Sequence, residues 1–349
     1  EKVTLENVPE IADIKALIKI VESYGVQTKF ENGRLEIDAS KLINGNPPAD
    51  LICTMRASIL LMGPLLARLG EVNLPLPGGC VLGKRPTHAH TYAMQKLGAE
   101  IINEEEELHL KLKKLAGNDV TMPELSVTAS ENAIMLAVMA PGHTELKLVA
   151  AEPHVQDLCL FLNSMGAKIS GIGTHFLQIE GVQKLHGTTY SITGDYLEAG
   201  TFVIAGLLTG SELTVEGIPT NQLDSVWQKL EEMEANFTLT PNSITVKPSP
   251  NLKAVDVRTA VYPSFPTDLQ APFSVLLTQA EGESKVFETL FDGRLNYLFE
   301  LEKMGASIEM LNPHQAKIKG KTILKGVPIA SIDIRAGAAM VLAALCAQG

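Results

Sequence analysis

The sequence predicts an α/β protein of two domains, built from one small helix-and-strand unit used repeatedly. Three observations predict it. The 349-residue chain is 45% hydrophobic and 20% charged, which supplies a large core and exceeds the length of one ordinary domain. A four-residue phrase that ends an amphipathic helix and opens a strand recurs five times. Between its copies lies a second helix rich in Ala, Leu, Ile and Val, with short strands on either side that run into Gly or Pro. Together these describe βαβαββ-like units that pack helices on small sheets.

The repeated phrase reads Ser23-Tyr24-Gly25-Val26, Lys96-Leu97-Gly98-Ala99, Ser164-Met165-Gly166-Ala167, Glu232-Met233-Glu234-Ala235 and Lys303-Met304-Gly305-Ala306. Its last positions are 73, 68, 68 and 71 residues apart, a period that marks an internal repeat. The Gly fits a helix stopped at the C′ position in a left-handed conformation. Glu234 breaks the rule, so the fourth copy should carry strain or a different cap. The second helix of each unit should begin near Arg56, Asn132, Gly200, Gln270 and Arg335, and representative strands cover 212–215, 243–246 and 316–319. The first helix, 11–24, belongs to the later half of a unit and the last, 335–347, to the earlier half. The expectation is a piece of a six-unit protein, short of one early helix at the front and one late helix at the back. The two halves should meet near 193/194, giving domains 1–193 and 194–349.

Lys and Arg number 29 against 40 Asp and Glu, a formal charge of −11, which argues against a general nucleic-acid or anionic-membrane surface. An anionic ligand therefore needs a local cluster of cations. The four cysteines, Cys53, Cys80, Cys159 and Cys346, are far apart, which points to a reducing, cytoplasmic setting and away from a disulfide framework. The apolar stretches 57–66 and 336–347 are too short to span a bilayer.

Chemistry concentrates in three places. Residues 76–86, Leu-Pro-Gly-Gly-Cys-Val-Leu-Gly-Lys-Arg-Pro, form a Gly/Pro-rich loop whose Cys80 is either an incidental surface thiol or one activated by Lys84 and Arg85. With His88 and His90 nearby, a metal site is a weaker alternative, unsupported by any other Cys/His pair. Arg56 and Arg335 sit at the starts of apolar helices, where a cation opposes the macrodipole; each either helps bind an anion or pairs with a neighbouring carboxylate, Asp333 in the case of Arg335. Asp268, in Phe265-Pro266-Thr267-Asp268-Leu269-Gln270, is either an N-cap or a general base for a substrate hydroxyl, and by itself Arg294 is an ordinary surface residue. Several isolated arginines in an acidic protein suggest a small, multiply anionic substrate bound between the two halves.

With Thr-Met-Arg-Ala-Ser at 54–58, the loop at 76–86, Glu-Ala-Gly-Thr-Phe at 198–202 and Phe-Pro-Thr-Asp-Leu-Gln-Ala at 265–271, the chain resembles the UDP-N-acetylglucosamine 1-carboxyvinyltransferase family of enolpyruvyl transferases over essentially its whole length. The resemblance implies the enolpyruvyl-transferase fold, an inverse α/β barrel-like pair of domains with three βαβαββ units each and the active site in the cleft between them. It implies transfer of the enolpyruvyl group of phosphoenolpyruvate to the 3′-hydroxyl of UDP-N-acetylglucosamine with release of phosphate, the first committed step of peptidoglycan synthesis. Cys80 would protonate the methylene carbon of phosphoenolpyruvate, form an adduct with it and be alkylated by fosfomycin. Asp268 would accept the hydroxyl proton, Arg85 would bind the phosphate, Arg294 and Arg335 the carboxylate, and Arg56 would support the same anion. Pro86, Thr87, His88 and Ala89, with Glu124, Leu125, Ser126, Val127 and Leu290, would line the nucleotide-sugar pocket. No metal or cofactor is implied, nor any partner beyond the two substrates, and the expected state is a monomer.

The chain departs from the family pattern at His88, where an Asp is usual, Glu124 for Lys, Tyr196 for Arg and Gly293 for Asn. A Lys-Asn pair near the family's N-terminus and a late Arg fall outside the chain, which by itself should be catalytically impaired. The rival readings are an enzyme like 5-enolpyruvylshikimate-3-phosphate synthase, which lacks the loop thiol, and a non-catalytic nucleotide-sugar-binding paralogue, which needs none.

Overall fold

The computed structural model describes residues 2–43, 47–76, 86–331 and 333–349. The chain divides into two compact units, Glu1–Ile192 and Thr193–Gly349, one residue before the boundary expected from the repeat.

In the first unit the order is β1 (Val3–Glu6), α1 (Ala12–Ser23), β2 (Gln27–Glu31), β3 (Arg34–Asp38), α2 (Ala49–Thr54), a 3₁₀ turn (Arg56–Leu61), α3 (Met62–Leu69), β4 (Glu71–Pro75), α4 (His88–Lys96), β5 (Ala99–Asn103) and β6 (Glu107–Leu112). It continues with β7 (Asp119–Thr121), α5 (Val127–Ala137), β8 (His143–Lys147), α6 (Pro153–Ser164), β9 (Lys168–Ser170), β10 (Phe176–Glu180) and β11 (Thr189–Ser191). The run β7-α5-β8-α6-β9-β10 is a complete βαβαββ unit. Its sheet has the order β7-β8-β10-β9, with β7 parallel to β8 and the rest antiparallel. Two further sheets, β4-β6-β5 and β11-β1-β3-β2, complete this half, and the parallel pairing of β1 with β11 ties the start of the unit to its end. Burial alternates along these strands, as in β8, where Thr144 and Leu146 are buried and the residues between and beside them are not, so each sheet keeps one face for the helices.

The second unit contains α7 (Tyr196–Thr209), β12 (Leu213–Glu216), α8 (Asp224–Glu232), β13 (Phe237–Thr240), β14 (Ser243–Val246), β15 (Val257–Arg258), α9 (Thr267–Thr278), β16 (Gly282–Phe287), α10 (Leu298–Lys303), β17 (Ser307–Asn312), β18 (Gln315–Gly320) and α11 (Ile334–Cys346). Its sheets are β12-β14-β13 and β15-β16-β18-β17, the latter repeating the strand arrangement of the complete unit above. Helices α7, α9 and α11 pack on one another through Val203, Leu207, Leu269, Phe273, Leu276, Ala339 and Met340.

All five copies of the repeated phrase end helices as the sequence predicts. Gly25, Gly98, Gly166 and Gly305 have φ of 79°, 107°, 97° and 97°, and Glu234 takes the same left-handed conformation at 58°. The Glu234 N–H still bonds Glu231 O at 2.9 Å and the Ala235 N–H bonds Leu230 O at 3.0 Å, so the cap is retained and the strain falls on the backbone of a residue with a Cβ.

The early helices begin sooner than the apolar runs suggest, at Val127, Tyr196 and Thr267 instead of near Asn132, Gly200 and Gln270. Their first turns carry Thr128, Ser130, Glu131, Glu198, Thr267 and Asp268, polar groups that suit a helix N-terminus but hide it from a hydrophobic pattern. Where one helix was expected from Arg56, a 3₁₀ turn leads into α3, whose Pro64 has no N–H to return to the preceding turn.

Candidate functional site

In the second unit the candidate residues converge on α9 and α11. Asp268 is the second residue of α9 and is not its N-cap, which is Pro266. The Asp268 carboxylate, 34% exposed, instead receives two guanidinium groups on one oxygen: Arg294 Nη1 donates to Oδ1 at 2.9 Å, and Arg335 Nε donates to the same atom. Asp333, the partner expected for Arg335, is the N-cap of α11, where its carboxylate accepts from the backbone N–H of Arg335 at 2.8 Å and of Ala336 at 2.9 Å. The cap frees the Arg335 side chain to reach across to α9, and Asp268 offsets the cost of a cation in the first turn of α11.

Arg294 is a buried residue, only 6% exposed, and not the surface arginine its local sequence suggests. It follows Gly293, whose φ of 71° suits Gly and is tolerated by Asn, which gives a physical reason for the exchange of those two residues. Its Nη1 also donates to Thr267 Oγ1 at 2.6 Å, and the Thr267 hydroxyl donates in turn to Glu288 Oε2 at 2.7 Å. Glu288 is fully buried, and its other oxygen accepts the Leu290 N–H at 2.9 Å. The Phe291 ring lies 3.9 Å from the guanidinium carbon. Burial first, and repulsion from Arg335 second, push the Arg294 pKa down, opposed by Asp268 and Glu288. Its Nε has no hydrogen-bond partner among the described residues. Behind the cluster Gln270 Nε2 donates to the Tyr297 hydroxyl at 2.6 Å, which donates to Ser274 Oγ at 2.7 Å and fixes α9 against the turn carrying Arg294.

In the first unit Arg56 opens the 3₁₀ turn, and its Nη2 donates to Pro86 O at 3.4 Å. Pro86, Thr87, His88 and Ala89 enter α4; His88 is exposed beside Tyr92, whose ring centroid is 6.0 Å away, and Ala89 is buried. Glu124 is exposed, Leu125 and Val127 are half-buried, and Ser126 is the N-cap of α5, where its carbonyl accepts from Ser130 N at 3.0 Å. Cys80 and Arg85 lie outside the described residues. His90, considered above as a metal ligand, already uses both ring nitrogens, with Nδ1 3.0 Å from Asn132 Nδ2 and Nε2 3.2 Å from Thr128 Oγ1.

Sequence reasoning passed over Thr267, Glu288, Thr128 and Asn132. A carboxylate directly after the apolar strand residues Val286 and Phe287, and an Asn in the apolar run of α5, were the available signals. A groove of about 530 Å³ lined by Lys229, Arg258, Phe265, Lys285 and Phe287 lies elsewhere in the second unit and includes none of Asp268, Arg294 or Arg335.

Within a chain of repeated βαβαββ units, the second unit thus brings one carboxylate and two arginines together, a local cluster of cations in an acidic protein. The sequence profile of the family described as EPSP synthase (3-phosphoshikimate 1-carboxyvinyltransferase) matches residues 1–349, and the chain belongs to that family. Within it, the chain is 45% identical over 349 residues to the UDP-N-acetylglucosamine 1-carboxyvinyltransferase of Hydrogenovibrio crunogenus, covering 99% of the chain and 83% of that relative. To the protein of the same name from Prochlorococcus marinus strain AS9601 it is 42% identical over 353 residues, covering 100% and 77%. Among solved structures, the enolpyruvyl transferase NikO from Streptomyces tendae superposes with a TM-score of 0.89 at 22% identity, covering 99% of this chain and 83% of that one. EPSP synthase from Acinetobacter baumannii gives 0.75 at 20% identity, covering 100% and 84%, so the fold is that of the enolpyruvyl transferases.

Proposed function

We propose that this protein transfers the enolpyruvyl group of phosphoenolpyruvate to the 3′-hydroxyl of UDP-N-acetylglucosamine, releasing inorganic phosphate. The observation that carries the reading is the Asp268–Arg294–Arg335 cluster in a chain 39–45% identical, nearly end to end, to relatives that bear this activity in their name.

Chemically, the hydroxyl oxygen adds to C2 of phosphoenolpyruvate as a proton adds to C3. Phosphate then leaves C2, and a proton leaves C3 to restore the double bond. Asp268 is the base for the hydroxyl proton: both guanidinium bonds fall on Oδ1, which leaves Oδ2 to meet the incoming hydroxyl. Arg294 and Arg335 hold the carboxylate and stabilise the charge that develops as C2 becomes oxocarbenium-like. Arg85 takes the phosphate with Arg56 in support, and Cys80 supplies the C3 proton. Residues 86–89 and 124–127 with Leu290 receive the nucleotide sugar, His88 and Glu124 giving the uridine end a polarity unlike the Asp and Lys usual there. On this reading the protein acts in the cytoplasm as a monomer without a cofactor, nucleic acid or membrane, supports wall synthesis and hence cell shape and division, and is a fosfomycin target.

The test is phosphate release by the full-length gene product from phosphoenolpyruvate, with UDP-N-acetylglucosamine or shikimate-3-phosphate as acceptor, with and without fosfomycin. Release with UDP-N-acetylglucosamine alone, abolished by a mass adduct on Cys80, is expected. Cys159 is no competitor, since burial pushes its thiol up to about 12, and exposed Cys53 is the internal control. Release with shikimate-3-phosphate would move the assignment to the rival enzyme, and UDP-N-acetylglucosamine binding without release would make the protein a non-catalytic binder.

A further inference from the structure

His90 is a buried imidazole that the reaction above does not use. It is 1% exposed, and its two ring nitrogens meet side chains of α5. The orientation of Asn132 settles which nitrogen carries the proton. Asn132 is fully buried; its Oδ1 accepts the Gly63 N–H at 2.8 Å, and its Nδ2 donates to Ile59 O at 2.9 Å. The remaining hydrogen on Nδ2 faces His90 Nδ1 at 3.0 Å, so Nδ1 accepts. The hydrogen then sits on Nε2 and is donated to Thr128 Oγ1 at 3.2 Å. A second proton on the ring would set an N–H against the Asn132 NH₂ group. Burial, with repulsion from Arg56, pushes the His90 pKa down to about 3, so the ring stays neutral at ordinary pH.

These bonds join three segments, and each ends at or beside a stretch assigned above to the nucleotide sugar. Residues 86–89 run directly into His90, residues 124–127 run directly into Thr128, and Arg56 lies three residues before Ile59 in the same 3₁₀ turn. The approach is close as well: a Cβ on Gly63 would stand 2.6 Å from Asn132 O, so α3 and α5 are in contact where the network crosses between them. We propose that His90 is a positioning residue for UDP-N-acetylglucosamine binding, fixing the 86–89 and 124–127 stretches and the Arg56 turn in mutual register through Asn132 and Thr128. The inference rests on the functional reading given above and extends it to a residue buried beneath the stretches assigned to the nucleotide sugar.

The test uses the full-length protein, calorimetric titration with UDP-N-acetylglucosamine, and separate KM values for the two substrates. His90→Phe fills the volume without either hydrogen bond and should weaken UDP-N-acetylglucosamine about tenfold, leaving KM for phosphoenolpyruvate within about twofold at saturating nucleotide sugar. His90→Asn, which restores an acceptor for Asn132, should recover part of the loss. Thr128→Val removes only the Nε2 arm, should cost about threefold, and reads the same network if His90→Phe does not fold. In ¹⁵N-histidine-labelled protein His90 should appear as the Nε2–H tautomer from pH 6 to 8. An Nδ1–H tautomer, unchanged nucleotide-sugar affinity in the variants, or losses for both substrates that track loss of thermal stability would each overturn the proposal. Failure of the unmutated protein to bind UDP-N-acetylglucosamine would overturn the functional reading itself.

Discussion

In the second unit Asp268, Arg294, Arg335 and Glu288 are four charged side chains linked through Asp268 Oδ1 and the Thr267 hydroxyl, whereas in the first unit His90, Asn132 and Thr128 form a network whose members are all neutral. The difference lies in what each leaves unsatisfied. In the neutral network both imidazole nitrogens of His90 and the amide oxygen and both amide hydrogens of Asn132 have partners, so it can fix geometry without attracting a ligand. In the charged cluster two guanidinium groups repel each other and the buried Arg294 Nε has no partner among the described residues, so an incoming anion would lower the energy of a cation already desolvated. On the proposed reading, the arrangement that binds ligand and the one that positions it differ in residual charge.

The comparison is broken most severely at Asp268. Asp268→Asn keeps the shape and loses the base, and phosphate release should fall by about 10³-fold in a single-turnover assay, within the range for removal of a general base. Arg294→Met should come next. It leaves Asp268 with one guanidinium and Thr267 without its donor, raises KM for phosphoenolpyruvate at least about tenfold and lowers unfolding free energy in urea by about 2 kcal/mol. Arg335→Met, at a more exposed position, should cost less stability, and an equal cost would show that burial is not what separates the two arginines.

A further prediction concerns a buried titrating group within the first unit. Burial, with repulsion from Glu152, pushes Glu131 up to about 7. Between the unfolded value near 4.5 and about 7 the folded chain holds a proton that the unfolded chain has released, so this contribution to stability is present at low pH and is lost as pH rises through the window. Glu131→Gln keeps a neutral side chain at every pH. The variant should match the unmutated protein at pH 4.5 and exceed its melting temperature increasingly toward pH 8; a constant difference across that range would contradict the assignment. The smallest effect should be at Glu234, where Glu234→Gly relieves a φ of 58° and should stabilise the protein by up to about 1 kcal/mol in urea unfolding.

Glu234 also shows how far the sequence could be read. The repeat exposes the helix ends because a C′ residue is a local requirement, met by four glycines and strained at the one exception. Helix starts are less legible, since their polar first turns, Thr267 and Asp268 among them, interrupt the hydrophobic pattern that signals a helix. The site is legible as a set of residue types and illegible as a set of partners. Asp268 and Arg335 are 67 positions apart, and the nearer carboxylate, Asp333, is taken by the helix N-terminus. Burial of Arg294 and Glu288 depends on the packing of strands and helices distant in sequence, and no feature of Phe-Asp-Gly-Arg at 291–294 announces it.

The most direct test of the separation between the two regions is calorimetric titration of Asp268→Asn protein with UDP-N-acetylglucosamine, alongside its turnover. The account predicts affinity within about threefold of the unmutated protein with phosphate release nearly abolished, because the neutral network that positions the nucleotide sugar is untouched. Loss of binding in proportion to loss of turnover would contradict it.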